Sequence, residues 1–342
     1  MNVKYTIAID AMSGDFGPQV ALPAAVEYIK KRDDVCLILV GQEEDLRVRL
    51  GALGSTEREN LRIHNATQVV EMDELPSKAM RGKKDSSMRV ALNLVKEGVA
   101  DACVSAGNTG ALMATGRYVL KTLSGIDRPA IISSLPAING HTHVLDLGAN
   151  IDCTSEQLFQ FAVMGSVLAS AIDNIESPKV GLLNIGEEEI KGNDKIKVAS
   201  QLLSESALNY VGFVEGDDVY TGDVDVVVCD GFVGNVALKA SEGLAKMISH
   251  YMKMEFNRNI FTRLAGLVAL PVLNAFRNKI DPRQYNGASL VGLRGIVIKS
   301  HGGADALAFT NAINIALIEV DKAVPEKISS NLESLLVEGQ SD

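Results

Sequence analysis

The sequence predicts an α/β protein, a mostly parallel sheet covered by helices on both faces in a three-layer α/β/α arrangement. Short apolar, β-branched runs alternate along the chain with longer stretches of helical periodicity. Those runs are apolar at nearly every position, the pattern of strands buried on both faces. Most of them end in a glycine with a polar residue beside it, where a strand turns into a helix. At 342 residues the chain is long enough for a large core. It is expected to form a single domain over 1–342, with one projection at 253–283.

In chain order the strands are TIAID, VCLILVG, ACVSAG, AIISSLP, HVLDLGAN, VGLLNIG, YVGFVEG, DVVVCDG and GIVIKSHG. Their ends pair Asp10 with Gly14, Gly107 with Asn108, Asp146 with Gly148, Asn184 with Gly186, Glu215 with Gly216, Asp230 with Gly231 and His301 with Gly302. Ligands of open parallel sheets bind outside the carboxyl ends of the strands, so these turns are expected to converge on one site. Any one of them alone reads better as a plain strand cap.

With 43 acidic against 33 basic residues, the net charge is −10. A general nucleic-acid role would have to overcome repulsion from phosphate and is set aside. MNVKYTIAID enters the first strand at once, without the pattern of a signal peptide, so a cytoplasmic protein is expected. Cys36, Cys103, Cys153 and Cys229 are far apart, and three of them lie in apolar strand runs. They suit small hydrophobes, and neither a disulfide framework nor zinc spacing is present.

The turns carry the chemistry. VSAGNTGALMATG is a strand passing into a helix made of small residues, which lets a ligand approach the backbone at a helix N-terminus, where an anion is the natural guest. It lacks G-x-G-x-x-G, and no P-loop, nucleophile elbow or zincin helix occurs. Upstream, Lys78, Arg81, Lys83, Lys84 and Arg89 surround Ser86 and Ser87, a basic loop before a serine-capped helix. That suits a phosphate or a phosphorylated partner, with a solvated loop slightly ahead on these residues alone. In LLNIGEEEIKGND the glutamates read as a first helical turn, leaving Lys191 as a candidate electrophile beside Asn193. VVVCDGFVGNVALK places Asp230, Asn235 and Lys239 around a glycine turn, and IKSHGGAD places His301 at a strand end, where an exposed imidazole can move protons. Lys239 and Lys299 can equally cover apolar surface with their stems. His141 and His143, with Asp146, read as structural in preference to metal ligands, and no metal site is expected.

The segment 253–283 breaks the alternation. Ile260, Leu264, Leu267, Leu273, Phe276 and Ile280 recur at helical spacing and Pro271 divides the run, so two helices meeting at an apolar tip are expected. Lys253, Arg258, Arg263, Arg277, Lys279 and Arg283 against Glu255 and Asp281 give a local +4, six minus two. The apolar stretch is far short of the ~20 residues that span a bilayer. A membrane-surface element and a helical hairpin buried between subunits fit these residues equally well.

IAIDAMSGDFGP, KKDSSM, SAGNTGALMATG, LDLGANIDC, LLNIGEEEIKGN, VEGDDVYTGDVDVVVCDGFVGNVALK and IKSHGGAD together resemble, in order and nearly throughout, the PlsX family of fatty acyl-acyl carrier protein (ACP):phosphate acyltransferases. Ser13 departs from the family's usual D-A-M-G-G-D, which questions the backbone conformation of that turn. The resemblance implies a Rossmann-like fold of the isopropylmalate dehydrogenase kind with a protruding helical hairpin. It implies conversion of acyl-ACP and inorganic phosphate to acyl phosphate and free ACP, the acyl phosphate then serving a membrane glycerol-3-phosphate acyltransferase in phosphatidic acid synthesis. It also implies a homodimer, no metal or organic cofactor, and peripheral attachment to the anionic inner face of the cell membrane through Leu267, Val268, Leu270, Val272 and Leu273.

On this reading the substrate contacts are Asp10, Gly14, Lys84, Ser86, Gly107, Asn108, Thr109, Gly110, Asn150, Asn193, Asp230 and Lys239. Asn108 and Thr109 would donate hydrogen bonds, and Lys191 and Asn193 would neutralise charge. Asn235 and His301 would stabilise the oxyanion or assist the leaving thiol. ACP is acidic, so Lys78, Arg81, Lys84 and Arg89 are its expected docking patch. Rival readings are a phosphotransacetylase-like enzyme using coenzyme A, a dehydrogenase on the same fold, and a non-catalytic scaffold for membrane and ACP.

Overall fold

The computed structural model describes residues 3–279 and 281–338. Its strands are β1 (Tyr5–Asp10), β2 (Val35–Gly41), β3 (Leu61–Asn65), β4 (Ala102–Ser105), β5 (Ala130–Ala137), β6 (Gly140–Leu145), β7 (Val180–Leu183), β8 (Tyr210–Val214), β9 (Val226–Val228), β10 (Ala288–Val291) and β11 (Ile296–Lys299). The helices are α1 (Pro18–Lys31), α2 (Glu43–Ala52), α3 (Pro76–Gly82), α4 (Ser87–Lys96), α5 (Thr109–Leu120), α6 (Ser155–Asp173), α7 (Asp194–Ser204), α8 (Gly231–Phe256), α9 (Ile260–Lys279), α10 (Ala306–Asp321) and α11 (Val324–Glu338). All the strands join one sheet in the order β3-β2-β1-β4-β11-β10-β5-β6-β9-β7-β8.

Alternate residues of each strand feed opposite layers, as the two-residue repeat requires. Ile7, Ile9, Leu37, Leu39 and Ile298 pack under α1 and α10, and Leu145, Val226, Val228 and Leu182 under α6, α7 and α11. Ala8, Ile38, Val40, Cys103, Val297, Val144 and Val227 face the other way, toward α4 and α5. Both faces are thus dry, which explains the continuous apolar runs. Each fully buried Leu or Ile contributes about 1.5–3 kcal/mol relative to exposure.

Seven of the ten strand pairings are parallel. The three antiparallel ones, β11·β10, β10·β5 and β5·β6, sit together in the middle of the sheet and reverse it. Strands β1 to β4 and β11 therefore run one way, and β6 to β9 the other. Their carboxyl ends lie on opposite edges, called here the first and the second edge. The expectation that all seven glycine turns converge on one site is corrected by this reversal.

The projection also differs from expectation. Helix α8 is 26 residues long and α9 is 20, about 39 and 30 Å at 1.5 Å per residue. They meet at a polar turn, where Asn259 Oδ1 accepts from the Thr262 N–H and Thr262 Oγ1 accepts from the Asn259 N–H, both at 3.0 Å. Pro271 lies inside α9 and does not divide it. A proline costs its helix one N–H, and on an exposed helix the freed carbonyl turns to water. The apolar run lies along the wall of α9, with Leu267, Val268, Leu270 and Val272 exposed and Leu273 half-buried. Ile280 and the side chain of Arg277 lie outside the described residues. Among the described residues no helix is long and apolar enough to cross a membrane.

Candidate active site

Three loops leave the first edge side by side, after β1, β4 and β11, and are fastened to one another. The Asp15 N–H donates to the Gly302 carbonyl at 2.9 Å, and the Ser300 N–H to the Ser105 carbonyl at 2.9 Å. Gly14 has φ +96°, and a Cβ there would lie 2.9 Å from the Ala106 Cβ and 3.2 Å from the Gly302 oxygen. Gly107 is small for a different reason: a Cβ would meet Met88 Cε at 2.6 Å and Ser13 Cβ at 2.9 Å. Ser13 itself does not take a positive φ, so the serine sits at an ordinary backbone position and the unusual conformation of the turn falls on Gly14.

Strand register then aligns three side chains in a row. Asp10 pairs with Ser105, and Ser105 with Lys299, at the last residues of β1, β4 and β11. All three are buried. Asp10 Oδ2 accepts from Ser105 Oγ at 2.6 Å, whereas Oδ1 has no hydrogen-bond partner, nor do the buried hydroxyls of Ser13 and Ser87. Burial pushes the Asp10 carboxyl above its ordinary range, partly offset by the hydroxyls of Ser105, Ser87 and Ser13. Lys299 Nζ donates to the Ala106 carbonyl at 3.2 Å and to the Ser300 carbonyl. An ammonium has three N–H groups, which leaves one for a guest. Burial pulls its pKa down to about 8, against the pull of Asp10 and Asp15. Sequence reasoning passed over Lys299 as a snorkelling stem; the available signal was its place as the last residue of a run, IVIK, that is buried throughout.

Around this row stand the other first-edge candidates. Thr109 and Gly110 are exposed at the start of α5, and neither N–H has an acceptor among the described residues. Such groups carry the positive end of the helix dipole. His301 is exposed, and its Nδ1 accepts from the Gly303 N–H at 3.1 Å, which leaves Nε2 to carry the proton. Burial lowers the His301 pKa, with Lys239 and Glu242 of α8 and Lys299 close enough to act on it. Lys239 in turn pairs with Glu242 at 3.0 Å. Asn286 fixes the loop from behind, accepting from the His301 N–H at 2.9 Å and donating to Ser300 Oγ at 2.9 Å and the Ala308 carbonyl at 2.7 Å. Arg283 sits just ahead, bonded to Asp281 at 2.6 Å and to Asp305, the cap of α10, at 3.0 Å.

Several predicted contacts prove to be helix caps. Ser86 accepts from the Arg89 N–H, Asn193 from the Ile196 N–H and Asp230 from the Val233 N–H. Asn108 caps α5 through its oxygen, and its Nδ2 donates to the carbonyls of Met72 at 2.7 Å and Glu74 at 3.0 Å. Its role as a donor to substrate is corrected, because that amide is already committed. These bonds seat α3 against α5, with Pro76 over Gly110. Lys78, Arg81 and Lys84 are exposed beside the turn, while the Arg89 guanidinium lies 4.8 Å from the Tyr118 ring centroid.

The second edge gathers Asp146, Asn150, Lys191, Asn193, Asp230 and Asn235. Asp146 is buried and saturated, accepting from the N–H groups of Ile131 (2.9 Å), Ala149 (3.0 Å) and Asn150 (2.6 Å) and from Asn150 Nδ2 (2.9 Å). Asn150 also donates to the Pro129 carbonyl at 2.9 Å, so both residues hold the fold together. The Asn235 side chain fills the space above Gly148. Helix α8 runs from this edge toward the first, with Lys239 nine residues, about 13 Å, beyond Asp230.

No cysteine is poised as a nucleophile: all four are buried and free, and burial pushes the Cys153 thiol up to about 11. A buried cation, unpaired backbone donors and an exposed imidazole can bind an anion and stabilise an oxyanion without a covalent intermediate.

Residues 5–327 match the family described as "Fatty acid synthesis protein". The chain is 64% identical over 341 residues, covering 100% of both chains, to the phosphate acyltransferase of Alkalilimnicola ehrlichii. It is 64% identical over 96% of both chains to that of Methylococcus capsulatus, and 63% over 99% of both to that of Nitrosococcus oceani. Among solved structures it is similar to a phosphotransacetylase from Streptococcus pyogenes (TM-score 0.63, 18% identity, 93% of this chain and 94% of that one). A 4-hydroxythreonine-4-phosphate dehydrogenase from Klebsiella pneumoniae shares the fold at TM-score 0.53 and 14% identity, over 94% and 99% of the two chains. With a family match across nearly its whole length and relatives this close, the chain belongs to the PlsX family of phosphate acyltransferases.

Proposed function

We propose that this enzyme transfers a fatty acyl group from acyl-ACP to inorganic phosphate, releasing acyl phosphate and free ACP for phosphatidic acid synthesis. The observation that carries the reading is the first-edge row: a buried ammonium with a spare N–H, beside unpaired N–H groups on a turn of small residues, is suited to phosphate. Lys299, Thr109 and Gly110 hold the anion, with Asp10 and Ser105 fixing the strand ends around it. A phosphate oxygen attacks the thioester carbonyl and the C–S bond breaks. His301 Nε2–H donates a hydrogen bond to the leaving thiolate, which takes up the proton released by the hydrogen phosphate as it becomes acyl phosphate, with Lys239 beside it stabilising negative charge. Asn235, one turn back on α8, extends this surface. Lys191 and Asn193 act from the second edge on a remote part of the substrate.

Docking of the acidic carrier at Lys78, Arg81 and Lys84 puts its arm next to Gly107 and Gly110, because α3 packs on the start of α5. The hairpin supports a homodimer and a peripheral site on an anionic membrane. Leu244, Met247, Ile248, Tyr251 and Met254 are exposed along α8, and Leu264, Leu267, Val268 and Val272 along α9, more apolar surface than a monomer usually leaves open. Delivery at the membrane suits a lipid-tailed product passed to a glycerol-3-phosphate acyltransferase.

The deciding experiment mixes purified protein with palmitoyl-ACP, with and without phosphate, and measures free ACP thiol and acyl phosphate. Phosphate-dependent release of both is expected. Turnover of palmitoyl-CoA alone would replace the carrier with coenzyme A, and ACP binding without turnover would make the chain a scaffold.

A further inference from the structure

We propose that His141, His143 and Asp173 form a binding site for one divalent transition-metal ion of the zinc class, clamping the start of β6 to the end of α6. The two histidines are on the same face of β6, and each presents Nε2 to one oxygen, Asp173 Oδ2, at 3.1 and 2.7 Å. All three donor atoms lie within 4.8 Å of one another. A tetrahedral zinc ion, about 2.0–2.2 Å from nitrogen and oxygen, spaces its ligands by about 3.2–3.5 Å. To hold it, His143 and Asp173 must open by about half an ångström, and the two imidazole nitrogens, up to 4.8 Å apart, must close by up to about 1.5 Å, within reach of ring rotation at the partly exposed His141.

His143 is buried, and its Nδ1 lies 3.1 Å from Ser134 Oγ. A hydroxyl either donates or accepts, so the ring can shift its proton to Nδ1 and free the Nε2 lone pair without losing that partner. This is the outer-shell arrangement that metal-binding imidazoles use. His141 is partly exposed, which leaves an entry path and a side for a water as fourth ligand. Burial works against ionisation of Asp173, but the hydrogen bonds from His141 and His143 hold its carboxyl well below the ordinary range, so the oxygen is anionic. Two imidazoles and one carboxylate favour zinc, cobalt or nickel over magnesium or calcium. The spacing of the two histidines alone offered no third ligand. Asp146, considered for that place, sits at the other end of β6 and is engaged by the backbone, and the fold supplies Asp173 instead.

Strands β10, β5 and β6 follow β11 in the sheet, which separates the histidines from Lys299 by about three strand spacings, ~14 Å. Both lie on the α6 face, opposite the layer that Asp10 and Lys299 face. The ion therefore stabilises the fold and leaves the chemistry alone.

The test uses untagged, chelator-stripped full-length protein titrated with cobalt(II), followed by d–d absorption, and with zinc(II), followed by calorimetry. One ion per chain is expected, with a higher melting temperature at saturating zinc. His141→Ala, at a partly exposed position that folds, should weaken binding at least ~10-fold, and Ser134→Ala by less, with phosphate-dependent turnover unchanged. Absence of binding to the unmodified protein would overturn the proposal, as would equal affinity and stoichiometry in His141→Ala and Asp173→Asn.

Discussion

Asp10 and Asp146 end two strands in opposite halves of the sheet, and both are completely buried. Asp146 is met by backbone N–H groups from two segments and by Asn150. Asp10 has one hydroxyl bonded to one oxygen and no hydrogen bond on the other, although the hydroxyls of Ser87 and Ser13 are near enough to act on its charge, with a buried ammonium two strands away. Burial raises both pKa values, so that property does not separate them. Satisfaction does: Asp146 answers every nearby donor and holds a turn, whereas Asp10 is left half-answered, which is what the proposed substrate site would use.

That contrast is open to attack at each end. The largest effect is expected at Asp146→Ala, which strands several buried N–H groups and should cost on the order of 3 kcal/mol or more in a urea melt. Lys299→Met should fold and lose ~100-fold in kcat/KM for phosphate. Its pH profile sharpens the claim. The wild-type ammonium, faced by Asp10, Asp15 and Lys239, is protonated below about pH 8 and neutral above, so kcat/KM for phosphate should fall as pH rises through that value. The Met variant should lose this descent, and a wild-type profile that climbs through pH 8 would remove Lys299 as the anion's cation. Asp10→Asn keeps the Ser105 contact and removes a buried charge, so about wild-type stability is expected with turnover lowered ~10–100-fold. An unfolded Asp10→Asn would erase the distinction from Asp146.

Two smaller effects test the surroundings. Charge reversal at Arg81 and Lys84 should raise KM for acyl-ACP several-fold with kcat kept; an unchanged KM would move the docking patch elsewhere. Lys191→Ala should lower turnover by no more than ~10-fold without unfolding, and a loss as deep as that of Lys299→Met would carry the chemistry to the second edge.

Most strands were legible because burial on both faces leaves a continuous apolar run. β3 and β10 were not: LRIHN is a half-exposed edge strand carrying Arg62 and His64, and ASLV is too short to stand out. The reversal of the sheet was the costlier omission. Its local sign was present in AIISSLP and HVLDLGAN, joined through the short ING connection, where a hairpin forces antiparallel neighbours. What no local pattern holds is the pairing of β10, a strand from near the end of the chain, with β5 from its middle. In the site, polar residues at helix starts misled for a physical reason. Ser86, Asn108, Asn193 and Asp230 are suited to a backbone N–H as well as to a ligand, and the helix claims them first. Pro271 misled similarly, since a wall of exposed helix tolerates a proline that a buried one would not.

The return leg of the hairpin reaches the sheet through Arg283, gripped by Asp281 and Asp305, and through Asn286, which holds the His301 N–H, Ser300 Oγ and the Ala308 carbonyl. In mechanical terms the two long helices are a handle whose lower end is bolted to the loop bearing the imidazole. If the proposed membrane surface or second copy pressed on the handle, these few bonds would be the route by which the force reached His301. Cutting that coupling at Asn286 would leave handle and loop each in place but no longer moving together.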